Sequence, residues 1–373
     1  MYLTKREEKI LEGEEGEGLQ KAMELIVALG DINNAEKLID IKSSQVSGVS
    51  YKTIGDAGLE FLKEWANSKV KVKVLTTLNP MGVDPETWKK YGFPKHFVDK
   101  QLEILNCFTS MGIIPSCTCT PYLIGNLPRY GENIAWAESS AVVFANSVLG
   151  ARTNRESGIS ALACAIVGKT PLYGLHLEEN RKPAFAVEVK ANMQSDADYS
   201  ALGYYVAQNF NEIPLFRFKK SPSLDELKAL SASLGVGAIN MFHVEGITPE
   251  SKTKEKLEKI SFDSQELKEV YEELTTCESY DVICVGCPHC SLNELREIYS
   301  RKINKNLWVY TARQNKAFFK EVIADTCMVV SPLEEIGIEA IATNSAKAAF
   351  YSRNLSKLEV KFAPLKELLR KAR

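Results

Sequence analysis

From residue 280 onward, short apolar runs alternate with amphipathic segments, and this alternation constrains the fold more than any other feature of the sequence. The runs DVICVG, LWVYTA and CMVVSPL predict strands, the last of them over 327–333. The segments SLNELREIYSRKI (291–303) and NKAFFKEVIADT (315–326) predict helices between the strands. Strands that alternate with helices are typical of a parallel, Rossmann-like sheet. The unit has no GxGxxG motif, so it does not predict a dinucleotide site.

The rest of the 373 residues also mixes strand and helix patterns, and the length suffices for two to three domains of roughly 150 residues each. VKVKVLT (70–76) predicts a strand by its alternation. SSQVSGVSY (43–51) predicts a loop because it is small, polar and contains glycine. We therefore expect an α/β protein with an N-terminal α/β domain over residues 1–160, a middle α/β domain over 161–279 and a C-terminal Rossmann-like domain over 280–373.

Charge and hydropathy argue against two classes of partner. Lys and Arg number 46 against 48 Asp and Glu, a formal net charge of -2, whereas nucleic-acid binders usually carry excess basic charge. No apolar run approaches the roughly 18–20 residues that span a bilayer. The first residues, MYLTKREEKILEGEEGEG, are highly charged and lack the apolar core of a secretory signal. We expect a soluble, cytoplasmic protein that binds neither nucleic acid nor membranes.

Nine cysteines stand out in a chain with only four histidines. A disulfide framework is not expected, because cytosolic thiols stay reduced. Two groups of cysteines are close in sequence, Cys117-Thr118-Cys119 and Cys287-Pro288-His289-Cys290. The second group lies between a predicted strand and a predicted helix, whose N-terminus would stabilise a thiolate. The remaining cysteines, apart from Cys327, are expected to be small buried hydrophobic residues.

The two groups are compatible with three kinds of chemistry. A strand–CPHC–helix unit is what a dithiol oxidoreductase uses, and CxC with CxxC could supply four thiolates to zinc. Cysteines from several loops could instead hold an iron–sulfur cluster. Alternate side chains of an extended CxC point to opposite faces, so only one of Cys117 and Cys119 is expected to be a ligand. One cysteine from each of three loops, with Cys327 as the third, would leave one iron open to substrate. Spacing alone leaves these alternatives open.

Five motifs together resemble the aconitase X family over nearly the whole chain. They are Cys117-Thr118-Cys119-Thr120-Pro121-Tyr122, Glu138-Ser139-Ser140, Ala151-Arg152-Thr153-Asn154-Arg155-Glu156, Gly286-Cys287-Pro288-His289-Cys290-Ser291 and Asp325-Thr326-Cys327. The resemblance implies an aconitase-like fold, with several Rossmann-like α/β domains around an iron–sulfur cluster. It also implies a hydro-lyase that dehydrates (R)-5-phosphomevalonate to trans-anhydromevalonate 5-phosphate in an archaeal mevalonate route to isoprenoids.

The resemblance also implies a set of site residues. A 4Fe-4S cluster with one labile iron would be held by Cys119, Cys287 and Cys327. Contacts to the phosphorylated hydroxy acid would come from Gly48, Val49, Ser50, Asn79, Pro80, Glu138, Ser139 and Lys347. Arg152 or Arg155 could add positive charge. His289 is a candidate catalytic residue that could hydrogen-bond the cluster or the leaving water, although a role in packing fits it equally well.

Family members that are fused carry an additional swivelling domain, and this sequence ends at residue 373 without one. We therefore expect a small subunit as partner, in a heterodimer or a larger assembly. In aconitase-like enzymes the main base is a serine on the swivelling domain, which here would lie on that small subunit.

Two alternative functions remain. Within the family, some members dehydrate cis-3-hydroxy-L-proline, and these tend to lack a cysteine at the position of Cys287, so Cys287 favours phosphomevalonate. Outside the family, a CPHC dithiol oxidoreductase would require both Cys287 and Cys290, whereas the dehydratase could dispense with Cys290.

Overall fold

The structure, a computed structural model, describes residues 1–253, 256–301 and 306–371, and these residues contain three parallel sheets flanked by helices. The helix predicted over 291–303 ends in residues that lie outside the described ones. Among the described residues, no helix combines the length and the apolar character that crossing a bilayer requires.

The first sheet has the order β3-β2-β4, with all strands parallel, and a separate antiparallel pair joins β1 to β5. The strands are β1 (Leu38–Asp40), β2 (Ser43–Val46), β3 (Leu75–Leu78), β4 (Ala135–Trp136) and β5 (Lys169–Pro171). The helices around them are α1 (Lys5–Leu11), α2 (Glu17–Ile32), α3 (Tyr51–Asn67), α4 (Trp88–Tyr91), α5 (Lys95–Ser110), α6 (Ser139–Phe144) and α7 (Gly158–Val167).

Two sequence predictions for this sheet need correction. The loop predicted over 43–51 begins with the central strand β2, all of whose residues are buried. The Ser44 hydroxyl lies within hydrogen-bond distance of the carbonyls of Ala135 and Ala161 and can donate to either, so distant backbone groups satisfy its polar side chain. The strand predicted over 70–76 begins only at Leu75 and continues to Leu78.

The second sheet has the order β8-β7-β6-β9, again with all strands parallel. Its strands are β6 (Phe185–Val189), β7 (Pro214–Arg217), β8 (His243–Val244) and β9 (Glu258–Phe262). Its helices are α8 (Asp196–Asn209), α9 (Leu224–Leu234) and α10 (Ser264–Leu274). Helices α8 and α9 pack closely, because Gly203 of α8 lets the backbone of α9 approach.

The third sheet has the order β12-β11-β10-β13-β14 and is parallel throughout, as the Rossmann-like pattern predicted. Its strands are β10 (Val282–Val285), β11 (Leu307–Thr311), β12 (Ile323–Ala324), β13 (Ala340–Thr343) and β14 (Glu359–Phe362). Its helices are α11 (Leu292–Tyr299), α12 (Ala346–Ser356) and α13 (Leu365–Lys371). The strand order reverses between β10 and β13, which is where open parallel sheets form a ligand crevice.

The helix predicted over 315–326 and the strand predicted over 327–333 are wrong. The first segment contains part of a 3-10 turn (Arg313–Ala317) and the short strand β12. We call the parts of the chain around the first, second and third sheets the first, second and third units. In the segment 327–333, the Cys327 backbone N–H donates to the carbonyl of Met81 in the first unit, at 2.9 Å, rather than to a neighbouring strand. Contacts between units therefore override the local pattern, and they place Cys327 in a loop.

Gly203→Ala tests the close packing of α8 against α9. Alanine favours a helix by about 1 kcal/mol over glycine, but a Cβ here would lie 2.7 Å from the Leu230 carbonyl oxygen. We expect the clash to prevail and the free energy of unfolding to fall by about 1–3 kcal/mol, as measured by urea denaturation. In the control Gly30→Ala, the new Cβ would chiefly meet the flexible side-chain end of Met1. Stabilisation by both variants would contradict the packing argument.

Candidate active site

A cavity of about 210 Å³ opens where the carboxyl ends of the first and third sheets meet. Its wall includes residues from the chain that follows β3, β4, β10 and β13. Loops at this end of parallel strands are where α/β proteins bind ligands. Most of the residues predicted from the sequence line this cavity, namely Asn79, Pro80, Cys119, Glu138, Ser139, Cys287, His289, Cys327 and Lys347.

Three predicted residues lie beside the cavity rather than in its wall. Gly48 lines a neighbouring apolar cavity of about 460 Å³, and Ser47 lines both cavities. Val49 is buried, and its carbonyl accepts a hydrogen bond from a side chain of α5. The Ser50 hydroxyl donates to the carbonyl of Val330, which belongs to the cavity wall. Contact of these three residues with substrate stays a prediction.

The two candidate arginines lie in different places. Arg155 lines the cavity, and its guanidinium donates to the Gly237 carbonyl at 3.1 Å. Arg152 lies in another cavity beside Arg181 and donates to the His176 carbonyl. Arg155 is therefore the one that can bring positive charge to the candidate site.

Lys347 and Glu138 form a buried ion pair in the cavity wall. The Lys347 ammonium lies 2.5 Å from Glu138 Oε1 and donates to the Ser139 hydroxyl at 2.9 Å. Asn79 Nδ2 donates to the other carboxylate oxygen at 2.7 Å. An ammonium has three donors, so these two contacts leave Lys347 a third for a ligand. Asn79 Oδ1 is buried without a hydrogen-bond partner among the described residues, and thus offers an acceptor.

Opposing effects determine the charge of this pair. Burial would raise the pKa of Glu138, but the Lys347 ammonium and the hydrogen bonds from Lys347 and Asn79 lower the pKa to about 2. Burial would lower the pKa of Lys347, but Glu138 outweighs it and raises that pKa above its usual value. Both groups are charged at neutral pH. A carboxylate with so low a pKa is a weak proton acceptor, so Glu138 fits the role of orienting Lys347.

Cys119, Cys287 and Cys327 line the cavity, whereas the other cysteines of the two motifs do not. Cys117 packs in the hydrophobic core around the first sheet. Cys290 packs in another core, which includes residues of β10 and α11. The four thiols of the CxC and CxxC motifs therefore do not surround one common site, as the zinc interpretation requires. Burial of Cys290 in a core also disfavours a dithiol oxidoreductase.

Burial controls the ionisation of the three cavity thiols. It raises the pKa of Cys119 well above its usual value and, together with the neighbouring Cys287, raises that of Cys327 to about 12. It also raises the pKa of Cys287, although Lys347 acts in the opposite direction. Burial thus opposes the thiolate expected at this helix N-terminus, and the first turn of α11 is capped instead by Ser291 and Glu294. Redox-active cysteines usually have a lowered pKa, whereas metal ligands lose their proton on binding.

Three thiols from three loops around one cavity fit an iron–sulfur cluster. Cys119, Cys287 and Cys327 are close enough to influence one another's pKa. Over residues 1–253, 256–301 and 306–371, no three His, Cys, Asp or Glu side chains are arranged to bind a single metal ion. A cluster binds each thiolate through a different iron, so its ligands surround the group and need not converge on one point.

His289 lies buried between the cysteine loops, and both of its ring nitrogens contact protein groups. Nε2 lies 2.8 Å from the Thr326 carbonyl oxygen, which can only accept, so we assign the ring proton to Nε2. Nδ1 then accepts from the Thr118 hydroxyl at 2.9 Å. Burial lowers the pKa of His289 to about 4, so the ring is neutral at neutral pH. A catalytic role for His289 stays a prediction.

Sequence reasoning assigned no role to the residues that hold the loops together. Thr118 and Thr326 directly precede Cys119 and Cys327, and this adjacency is a signal that could have identified them. The loop after β3 is joined to the Cys327 loop by the backbone of Met81, whose N–H donates to the Asp325 carbonyl at 2.7 Å. No local sequence signal predicts a contact between loops so distant in the chain.

Sequence models of three consecutive aconitase X domains match residues 1–179 for the first domain, 183–272 for the second and 280–373 for the third. The chain belongs to the aconitase X family. The crystal structure of Thermococcus kodakaraensis aconitase X in its holo-form is similar to this one, with a TM-score of 0.94 and 47% sequence identity over 100% of both chains. The aconitase-like α/β fold expected from the sequence is therefore confirmed.

Several relatives of this aconitase X chain are named phosphomevalonate dehydratase large subunit. The protein from Methanocaldococcus jannaschii is 51% identical, over 99% of this chain and 100% of its own. The protein from Thermococcus kodakarensis is 47% identical over 100% of both chains. The cis-3-hydroxy-L-proline dehydratase of Pseudomonas aeruginosa is 33% identical, over 96% of this chain and 68% of its own.

Glu138→Gln tests the buried ion pair of this aconitase X chain. It leaves the Lys347 ammonium buried without its counterion, so we expect the free energy of unfolding at neutral pH to fall by about 3 kcal/mol. The folded pKa of Glu138 is about 2, below the usual 4.5. The contribution of the charged Glu138 side chain to the free energy of unfolding is therefore complete when the pH is above the usual carboxyl pKa. It is lost as the pH falls through the pKa of Glu138 in the folded protein. The difference in the free energy of unfolding between wild type and Glu138→Gln, measured by urea denaturation, should decrease as the pH is lowered from about 5 towards 2.

Asp99→Asn is the matched control, because it removes an exposed ion pair between Lys95 and Asp99. Exposed pairs contribute little, so this variant should lose less than about 1 kcal/mol. Equal losses in the two variants would contradict the burial argument.

Proposed function

We propose that this chain is the large, cluster-bearing subunit of a hydro-lyase that dehydrates (R)-5-phosphomevalonate to trans-anhydromevalonate 5-phosphate in the mevalonate route to isoprenoids. The observation that carries the proposal is full-length similarity, at 44–51% identity, to archaeal phosphomevalonate dehydratase large subunits. The cavity supports it, because it combines three thiols with a buried, oriented ammonium. A phosphorylated substrate is retained inside the cell, so we place the reaction in the cytoplasm.

We propose that Cys119, Cys287 and Cys327 hold a 4Fe-4S cluster with one labile iron. When bound, such a cluster supplies a Lewis acid that helps a hydroxyl group to leave. The protein limits the access of bulk water to this region, since Cys119 is buried and Cys287 and Cys327 are half-buried. Exclusion of water strengthens the electrostatic interactions of the site.

The substrate carries a phosphate and a carboxylate, about three negative charges at neutral pH. Lys347 can bind one of these anionic groups through the N–H that Glu138 and Ser139 do not use. Arg155 adds a second positive charge to the cavity wall. Asn79 Oδ1 can accept a hydrogen bond from a substrate hydroxyl. Glu138 keeps the Lys347 ammonium in place and charged.

A base is needed to remove the proton next to the substrate carboxylate. In this chain Glu138 is paired with Lys347, and both ring nitrogens of His289 contact protein groups. These contacts favour a base from elsewhere, and we propose that a small swivelling-domain subunit supplies it. The name of the relatives, large subunit, supports such a partner.

The cluster proposal predicts which cysteines retain iron. Each of Cys119→Ser, Cys287→Ser and Cys327→Ser should lose most of the iron of the anaerobically reconstituted protein, because each removes one thiolate ligand. Cys117→Ser and Cys290→Ser are matched controls, because these thiols lie in hydrophobic cores, and they should retain it. Iron and acid-labile sulfide are measured together. Loss of iron in Cys290→Ser with retention in Cys327→Ser would contradict the ligand set.

The functional proposal predicts turnover and a substrate preference. The reconstituted chain mixed with a small subunit should dehydrate 5-phosphomevalonate, and neither subunit should do so alone. The mixture should bind 5-phosphomevalonate more tightly than mevalonate, because the phosphate adds contacts to the cationic groups. Robust turnover by this chain alone would overturn the partner proposal. A preference for cis-3-hydroxy-L-proline would favour the alternative activity instead.

The double variant Glu138→Gln/Lys347→Met tests the binding role of Lys347 without leaving a buried charge unpaired. It should weaken binding of 5-phosphomevalonate by roughly 2–5 kcal/mol and retain the iron. Lys95→Met, at an exposed ion pair, is the control and should bind as the wild type does. Unchanged affinity in the double variant would remove Lys347 from the substrate site.

A further inference from the structure

His289 makes four contacts that together reach each of the three units of the chain. Its backbone N–H lies 3.1 Å from Cys119 Sγ, and its ring Nδ1 accepts from Thr118, both in the first unit. Its ring Nε2 donates to the Thr326 carbonyl in the third unit. Its carbonyl accepts from the buried Lys228 ammonium of α9, in the second unit, at 3.1 Å. We call His289 and these partners the histidine junction.

The hydrogen bonds at Thr118 are complete. A hydroxyl has one proton to donate and two lone pairs. The proton goes to His289 Nδ1, because that nitrogen is an acceptor in the assigned tautomer. The lone pairs accept from the Thr120 backbone N–H at 3.2 Å and from the Thr120 hydroxyl at 3.1 Å. This network specifies one ring orientation, since rotation of the ring would leave buried polar atoms without partners.

Each contact of the ring lies directly beside a cavity cysteine. Thr118 precedes Cys119, Thr326 precedes Cys327, and His289 itself follows Cys287 by two residues. A bond to either threonine therefore restrains the loop that carries the neighbouring thiol. Groups that orient the ligands of a metal site contribute strongly to metal affinity even though they do not touch the metal.

We propose that His289 is a positioning residue that fixes the spacing of Cys119, Cys287 and Cys327 through its ring contacts to Thr118 and Thr326. The proposal rests on the cluster site proposed above and gives His289 a role other than proton transfer. It acts through the loops, so its loss destabilises the bound cluster and loosens the same thiols in the metal-free protein.

The experiment compares variants of the full-length chain after anaerobic reconstitution. His289→Gln and Thr118→Val each break a ring contact, whereas Thr118→Ser keeps the hydroxyl. Release of iron to a coloured ferrous chelator should be about 10–100-fold faster in the first two variants. Thr118→Ser should stay within about twofold of wild type, because its hydroxyl can still donate to Nδ1. The double variant His289→Gln/Thr118→Val should release iron no faster than His289→Gln, because both changes remove the same contact.

His243→Gln is the control for loss of a buried histidine. His243 is fully buried, and its Nε2 lies 2.7 Å from the Arg181 carbonyl, in the second unit away from the cavity. Like His289→Gln, it should lower the midpoint of thermal unfolding, but it should leave the rate of iron release unchanged. Equal acceleration in His243→Gln, or wild-type release from Thr118→Val, would overturn the proposal.

A measurement on the metal-free protein separates this proposal from the proposed function. Alkylation by iodoacetamide, followed residue by residue by mass spectrometry, should be faster at Cys119 and Cys327 in Thr118→Val than in Thr118→Ser. Cys164, buried in the core of the first unit, is the internal reference and should not change. If wild type takes up no iron, the cluster assignment fails, and the alkylation rates still decide the positioning role. Equal rates in the two threonine variants would overturn it.

Discussion

The carboxyl ends of two parallel sheets meet at one cavity, and the arrangement of every functional group depends on this junction. Parallel strands deliver their following loops to one edge, so each sheet brings several loops to the same place. The backbone of Met81 bonds to both Asp325 and Cys327, which joins the edge of the first sheet to that of the third. The Glu138–Lys347 pair makes a second connection across this boundary.

Under the proposed function, the ion pair serves substrate binding rather than stability. Two buried charges lose their hydration, and apolar residues of similar size in such a position are often as stable or more so. The pair lies in a cavity wall, and its ammonium retains donor capacity. An ammonium fixed before the ligand arrives needs little reorganisation to bind an anion, and so binds it more favourably.

The sequence predicted the parts of the fold that depend on local pattern. Periodicity identified β10, β11 and α11, because their apolar residues face a core made largely within the same unit. It failed for β2, whose Ser44 and Gln45 are polar and completely buried. Their partners, such as the Thr118 carbonyl that accepts from Gln45, are distant in the chain and invisible to a local window. It failed again at 315–333, where contacts with the first unit replace regular structure.

The sequence motifs identified most of the cavity residues, because motif residues have chemical roles rather than packing roles. The residues that align them were harder to find. Lys228 lies in an ordinary amphipathic helix, and its contact with the His289 carbonyl appears only when two units are folded together. Gly48 and Val49, by contrast, were predicted from a motif. That motif is adjacent to the cavity, but other residues form the cavity wall.

The bridge between Met81 and the 325–327 loop also bears on how the protein is made. During translation, the loop after β3 leaves the ribosome long before the segment that contains Cys327 has been synthesised. Domains generally fold in order as the chain emerges. The carboxyl edge of the first sheet therefore stays exposed and incomplete until the last unit folds against it. Under the cluster proposal, iron and sulfide would reach all three cysteines only after synthesis, when the folded chain first brings them together.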